Sequence, residues 1–543
     1  MLPQIHQGKK LIPLSPALLL SLSAITLLLI GFGLGHHQDE YFYLFSVLHH
    51  STGELMKLEV GLASGIFPEG YGIFPEGFFA AKIGLVVILR FLVQLLGSGL
   101  WSLLIIQFIF AVMLVGFVVA SYVLLREIFE QREAPYITVV LMFQPISVYL
   151  SYKVLSEVPS LLFTTLGCWA FLRSFQSFNR WRLGGFIVLA AIGLLLGVLC
   201  RFTSFLFFAG LVLGLFVLRN GLYSWTKVFI RASLVFVCLI VMMVAFYKLI
   251  GLSYHGLMAI TMGVVERRES LGVKLYELMM SVQLFLPALV LAIWPPWSSR
   301  TGLVLVWVGV CTLPFILGLR HFEPRYFYTA LVPLSVLTYL GLQRFTAILS
   351  RYRINLVFLL IILVLGNRLF FAPLVPYEID QNQYLKIMAG LIQRYPNATY
   401  LIPWLSDYSF LRFAFPKQDI KLSWSKGRAE GEEIFPNKSF RHWVGEKNYV
   451  DSLELLNQLP RPWIYIGWTY NPAVLNLKKR LRWFGVDYLK EIEQQEGLQD
   501  HITLSWIWSD PDLKLKQIAQ LGLYKAFEIQ QEHEASLSPV GSH

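Results

Sequence analysis

Asp39 is the only aspartate among the first 372 residues, and Glu40 follows it directly in His36-His37-Gln38-Asp39-Glu40-Tyr41-Phe42. A carboxylate half-sheltered from water can take the proton of an incoming hydroxyl, acting as a general base. The plainer alternative for this pair is an acidic cap beside aromatic anchors. His36, His37, His49 and His50 open a metal reading of the same stretch, because imidazole and carboxylate together bind Zn²⁺ or Mn²⁺. Their spacing matches no specific metal signature, and no metal or other cofactor is assigned.

Three further residues stand out by type and place. Glu157, in Lys153…Ser156-Glu157-Val158-Pro159, is the only carboxylate between Glu133 and Glu266. It orients a substrate hydroxyl, pairs with Lys153, or serves as the acid that a helix N-terminus favours. Arg201, in Cys200-Arg201-Phe202-Thr203-Ser204, and Arg325, in His321-Phe322-Glu323-Pro324-Arg325-Tyr326, interrupt apolar runs. A guanidinium in such a place needs an anion. A lipid-linked phosphate held in two-point contact fits that need, and so does a carboxylate of the chain, such as Glu323 or Glu157 for Arg325.

The elements that hold these residues are hydrophobic. Of 543 residues 56% are hydrophobic and 15% charged, and the mean hydropathy is +0.59. Too little charge remains to cover a soluble enzyme of this size. Apolar runs of membrane-crossing length fall near 11–35, 78–97, 100–124, 135–152, 157–173, 184–200, 204–219, 229–250, 278–297, 302–319, 326–343 and 354–372. The first is too long for a cleaved signal peptide and lacks a small-residue cleavage site. Residues 1–372 hold 26 Lys/Arg against 14 Asp/Glu, a net charge of +12, whereas residues 373–543 hold 19 against 20. The basic excess thus lies between membrane spans, where it reports orientation and not a nucleic-acid partner.

Clusters at Lys9/Lys10, Arg173/Arg180/Arg182, Arg219/Lys227/Arg231, Arg300 and Arg344/Arg351/Arg353 assign those loops to the cytoplasm. Residues 373–543 then form an extracytoplasmic domain, and Arg201 and Arg325 fall on that same side. Two full crossings at 78–97 and 100–124 would break the alternation, so one of them is short or re-entrant. Segment 78–97, which carries Lys82 and Arg90, is the choice. The expected architecture is mostly α: a bundle of about 11–12 transmembrane helices over residues 1–372, with a small α/β domain over 373–543.

Loop 36–77 holds six of the fourteen carboxylates and a tandem repeat, Gly65-Ile-Phe-Pro-Glu-Gly70 and Gly72-Ile-Phe-Pro-Glu-Gly77, read as paired turns or as a local duplication without a role. In the tail, Thr399–Pro403 and Trp463–Gly467 read as strands, and Leu475–Phe484 and Leu513–Leu521 as helical segments. Cys168, Cys200, Cys238 and Cys311 all lie in apolar runs and read as core residues. Walker, dinucleotide-binding and His-Glu-x-x-His patterns are absent, which argues against a nucleotide-driven pump.

These blocks resemble a known family. His37-Gln38-Asp39-Glu40-Tyr41-Phe42 is similar to the His-Pro-Asp-Glu-x-Phe motif of the mannosyltransferases of N-glycan and GPI-anchor assembly, members of the GT-C superfamily. Lys57-Leu58-Glu59-Val60…Phe67-Pro68 resembles their Trp-Glu-Trp…Phe-Pro stretch. Arg201-Phe202-Thr203 resembles their Arg-Pro-Thr, and His321-Phe322-Glu323-Pro324-Arg325-Tyr326 their His-Lys-Glu-x-Arg-Phe. Leu401-Ile402-Pro403…Asp407-Tyr408-Ser409 is a fainter echo of a C-terminal luminal motif. The blocks occur in family order along most of the chain. Gln38, Leu58, Val60 and Phe202 depart from the family pattern, which leaves the acceptor and the sugar open.

The resemblance implies an inverting glycosyltransferase that takes a sugar, mannose first, from a polyprenyl or dolichyl phosphate to a glycan or lipid-linked acceptor. It implies Asp39 as the base and Glu40 and Glu59 as partners of substrate hydroxyls. His321 and Arg325 would hold the donor phosphate, with Lys82, Glu157, Arg201 and Glu323 in the same substrate-binding set. Either a bacterial inner membrane or the endoplasmic reticulum membrane would house such an enzyme. The second reading is a transporter or flippase for a lipid-linked glycan; the absence of two similar halves counts against it.

Overall fold

The computed structural model describes residues 15–32, 36–57, 60–61, 72–74, 79–129, 131–177, 179–218, 223–250, 278–279, 281–294, 298–318, 324–348, 359, 362–363, 378–379, 381–423, 442–468, 506–508, 510–522 and 524–531. Helix α1 (Pro16–Phe32) leads into strand β1 (His36–His37), then α2 (Gln38–His49) and α3 (Thr52–Lys57). Strands β2 (Val60–Gly61) and β3 (Gly72–Phe74) pair antiparallel. The rest of the tandem repeat lies outside the described residues.

A 3-10 turn at Ala80–Lys82 opens α4 (Ile83–Leu96). There follow α5 (Leu100–Ile128), α6 (Ala134–Phe143), α7 (Pro145–Leu150), α8 (Glu157–Ser174) and α9 (Arg180–Cys200). After these come α10 (Phe205–Leu218), α11 (Trp225–Ile250), α12 (Leu286–Ile293), α13 (Ser299–Gly318) and α14 (Leu331–Ile348). Among the described residues, Leu100–Ile128, Arg180–Cys200 and Trp225–Leu249 are each long and apolar enough to cross a bilayer, and shorter apolar helices lie in the expected spans at 11–35, 78–97, 135–152, 204–219, 278–297 and 302–319. Phe91, Leu95, Trp101, Phe229 and Val241 turn large apolar side chains outward. Such faces need lipid as their solvent, so the chain is an integral membrane protein.

Two details of the spans follow from local chemistry. Helix α4 has 14 residues, about 21 Å at 1.5 Å per residue, well short of the ~30 Å hydrocarbon core. The expected span at 135–152 is broken in two, because Pro145 lacks an amide hydrogen and holds Gln144 extended at ψ 140°. The last expected span, 354–372, lies outside the described residues apart from 359 and 362–363.

Helices α8 and α9 form a close hairpin. Their contact is built on glycine, since a Cβ at Gly193 would stand 2.8 Å from the Gly167 Cα. Backbones approach this closely in membranes only through such small residues, which replace the missing hydrophobic drive with dense packing. The hairpin matters functionally because its two ends on one side are Glu157 and Arg201.

The C-terminal part contributes β4 (Glu378–Ile379), α15 (Gln381–Arg394), β5 (Thr399–Ile402), α16 (Leu405–Ala414), β6 (Asp419–Leu422) and α17 (Leu453–Asn457). Strands β7 (Trp463–Trp468), β8 (Leu513–Leu521) and β9 (Tyr524–Gln531) complete it. One sheet runs in the order β6-β5-β7-β9-β8, parallel from β6 to β7 and antiparallel from β7 to β8. The strands expected at Thr399–Pro403 and Trp463–Gly467 are β5 and β7. Leu513–Leu521 corrects the helical expectation: it is a strand. Leu513 and Leu515 alternate with the exposed Lys514 and Lys516, a period of two that sets an apolar side and a charged side. The lysines also guard the sheet edge against a second chain. Leu475–Phe484 lies outside the described residues.

Candidate active site

Charged residues from five places in the chain meet at one end of the helix bundle. Asp39 stands in the first turn of α2, where the helix dipole favours a carboxylate. Its Oδ2 accepts a hydrogen bond from Arg325 Nη2 at 2.8 Å. The Arg325 side chain is buried while Asp39 keeps 20% of its surface open. Arg325 lies in the 3-10 turn Pro324–Ala330 that precedes α14, and its Nε is 3.8 Å from Glu157 Oε1.

Glu157, the first residue of α8, is fully buried. Its Oε1 accepts from Arg201 Nη1 at 2.7 Å, and its Oε2 from the Ser156 hydroxyl at 3.1 Å. Arg201 Nη1 also donates to Ser156 Oγ at 3.1 Å. One carboxylate thus faces two guanidiniums. Arg201 in turn lies 5.0 Å from the Tyr326 ring centroid and 5.5 Å from that of Tyr328, within the range of cation–π attraction. The Thr203 and Tyr328 hydroxyls are hydrogen-bonded at 2.9 Å.

Lys82 arrives from the 3-10 turn ahead of α4 and donates to the Tyr43 hydroxyl at 2.6 Å. Tyr43 sits one turn beyond Asp39 on α2. Burial, and next the Asp39 charge, push the Tyr43 phenol well above its ordinary pKa, so it stays protonated. Glu40, the neighbour of Asp39, is fully buried and its Oε2 accepts from the Val154 amide at 2.9 Å. It ties α2 to the turn before α8.

Asp39, Lys82, Glu157, Arg201 and Arg325 are therefore brought together. Of the intramolecular partners weighed for Arg325, Glu157 is within reach, while its closest contact is with Asp39. Lys153 is buried and 4.5 Å from the Tyr149 ring centroid. Glu59, His321 and Glu323 lie outside the described residues. Among the described residues no group of three or more His, Cys, Asp or Glu converges on a metal position. The twelve residues of α2, about 18 Å of helix, separate His36 and His37 from His49. The four histidines therefore do not share one ion.

Sequence reasoning missed Tyr43, Tyr326 and Tyr328. The spacing of Tyr43, four residues after Asp39, places both on one helix face and was the available signal. It also missed how α2 is held from behind. Strand β1 pairs with β4, and Tyr41 Oη donates to Gln381 Oε1 at 3.1 Å. The Trp443 indole donates to Ser46 Oγ at 3.0 Å, with its ring 4.9 Å from Phe45. His50 Nε2 is 2.9 Å from the Trp443 carbonyl. The C-terminal part thus grips the helix that presents Asp39.

A structural neighbour covers nearly the whole chain. The crystal structure of ArnT from Cupriavidus metallidurans bound to undecaprenyl phosphate superposes with a TM-score of 0.54, covering 94% of this chain and 97% of that one at 12% identity. By fold, the chain is similar to ArnT. The ArnT apo structure matches the chain similarly, with a TM-score of 0.53 at 12% identity, 94% and 97% of the two chains being covered. The apo oligosaccharyltransferase of Archaeoglobus fulgidus gives a TM-score of 0.43 at 12% identity, covering 95% and 89%. By sequence, residues 83–247 match the family described as dolichyl-phosphate-mannose-protein mannosyltransferase. Among curated proteins, none matches the sequence.

Proposed function

We propose that this chain is a GT-C superfamily glycosyltransferase that transfers a sugar, mannose first among candidates, from a polyprenyl phosphate to a hydroxyl of a glycan or lipid-linked acceptor. The observation that carries the reading is Asp39, partly open to solvent, set 2.8 Å from Arg325 beside the Glu157–Arg201 pair. A base and a cationic cradle side by side are what such a reaction needs. The undecaprenyl phosphate held by ArnT makes a lipid phosphate the first donor to test.

In this reading Asp39 takes the proton of the acceptor hydroxyl as its oxygen attacks the anomeric carbon from the face opposite the phosphate. The bond from that carbon to the phosphate oxygen breaks, its electrons leave with the polyprenyl phosphate, and the anomeric centre inverts. Arg325, Arg201 and Lys82 stabilise the charge that grows on the leaving phosphate. Glu157 holds Arg201 and Arg325 in place, with His321 and Glu323 completing the donor site and Glu59 the acceptor side. Glu40 acts through the Val154 amide, fixing the first turn of α2. In this reading the reaction takes place on the extracytoplasmic face, the side to which residues 373–543 are assigned.

Asp39→Asn tests the reading. The variant should insert and fold normally but lose transfer from polyprenyl-phosphate mannose, glucose or arabinose to a panel of glycan acceptors. Activity within a few fold of wild type would remove Asp39 as base. Movement of the lipid-linked sugar across reconstituted vesicles without transfer would favour a flippase instead.

A further inference from the structure

The far end of the α8–α9 hairpin carries a second cationic feature. Glu157 and Arg201 mark the hairpin's site end; Ser174 and Arg180 mark the other. Helices of 18 and 21 residues are about 27 and 31 Å long, close to the ~30 Å thickness of a bilayer core. The two ends therefore lie at opposite membrane faces.

Between the far ends is a cavity of about 870 Å³ lined by Trp169, Arg173, Gln176, Asn179, Arg182 and Phe186 among others. Arg173 is already compensated: its Nε stands 3.1 Å from Glu127 Oε1, and its Nη1 donates to Gln176 Oε1 at 2.8 Å. It forms a fixed polar wall. Arg180 and Arg182 are exposed, and the structure gives them no ion pair or side-chain hydrogen bond among the described residues. Trp181 between them is 90% exposed, the posture of an aromatic anchor at a membrane interface.

Below this mouth the groove turns apolar. A Cβ at Gly184 or Gly185 would meet nothing within 4 Å, so the floor is open, and Phe186 and Leu189 continue it down the helices. A cationic mouth over an apolar floor has the shape and polarity of a phospholipid. Among the described residues, the cavity lining includes no carboxylate. We propose that this groove binds the phosphate head group of an anionic glycerophospholipid from the leaflet opposite the active site. A zwitterionic head group carries its own cation and gains less from the uncompensated arginines. A soluble phosphate gains nothing from the apolar floor.

The test uses the full-length protein in detergent, supplied in turn with phosphatidylglycerol, phosphatidylcholine or inorganic phosphate, with bound species counted by native mass spectrometry. Wild type should retain phosphatidylglycerol over phosphatidylcholine. Arg182→Gln should cut that retention about fivefold, and Arg180→Gln with Arg182→Gln about 25-fold, the effect expected of each cation at a membrane surface. Gly185→Leu, which fills the floor and leaves the charge alone, should cut it as well. Equal retention of both lipids would overturn the proposal, as would retention of phosphate alone. So would an equal loss in Lys227→Gln, an exposed cation on α11 outside the groove.

Discussion

Glu157→Gln is the most exacting test of the charged cluster. At an effective dielectric of about 20, a pair 2.7 Å apart attracts by roughly 332/(20 × 2.7), or about 6 kcal/mol, and one at 3.8 Å by about 4 kcal/mol. The cost of burying three charges offsets much of this, so the intact cluster contributes little net stability. Removing one partner is different. Glutamine keeps the shape but leaves Arg201 and Arg325 facing each other without their shared anion. Breaking a buried pair in this way costs about 3–5 kcal/mol, which for a chain of 543 residues lowers Tm by about 3–4 °C. Arg201→Gln should cost less, because Glu157 still has Arg325. In the double variant neither charge is left over, so its loss should fall at least ~2 kcal/mol short of the summed single losses. Polyprenyl phosphate, added to Glu157→Gln, should raise Tm more than it does in wild type, since its anion takes the vacated role. Melting curves on detergent-solubilised protein with and without the lipid read all of these. Additive single effects, or a wild-type Tm in Glu157→Gln, would refute the shared-carboxylate argument.

The remaining predictions concern the scaffold. Gly193→Leu should force α8 from α9 and reduce stability by about 1–3 kcal/mol, taking activity with it because Glu157 and Arg201 ride on those helices. Gly309→Leu, where a Cβ would meet nothing within 4 Å, should leave both unchanged, and a melting curve with a transfer assay separates the two. Desolvation, then the Arg412 and His50 charges, push the His49 imidazole down to about 4. The folded state then binds fewer protons than the unfolded one below pH ~6.5, so stability is full above that pH and is lost as pH falls toward 4. Thermal melts between pH 7.5 and 5 should show this fall, shallower in His49→Gln; a flat wild-type profile would count against it.

The features easiest to read from the sequence were those where one residue type contradicts its surroundings. Asp39, Glu157, Arg201 and Arg325 break apolar runs, and a bilayer makes such residues costly unless they meet. Their meeting was therefore readable, whereas the partner choice was not, since Arg325 reaches Asp39 across 286 positions. Distance along the chain carries no information about which ends of two helices adjoin. The strand β8 was misread from its charge, although the Leu-Lys alternation held the period that decides it. The break at Gln144-Pro145 lies inside a continuously apolar run, and hydropathy alone does not register a missing amide hydrogen.

The grip of the C-terminal part on α2 changes what that part is for. The membrane helices supply the carboxylate and guanidiniums of the cluster through the ends of α8 and α9 and the turn before α14, all fixed by close packing. Asp39 has a different support. Its helix is short and buried on every face over Glu40–Val47, and a helix of twelve residues is marginal on its own. Tyr41, Phe45, Ser46 and His50 of that helix segment all meet Gln381 or Trp443. These contacts are spread over half the circumference of α2 and the residue after it, so its orientation depends on them as well as on the bundle. A base is effective only when held within a fraction of an ångström of its target. In this architecture Gln381 and Trp443 of the C-terminal part are thus part of what places Asp39, and the charged cluster depends on them as well as on the membrane helices.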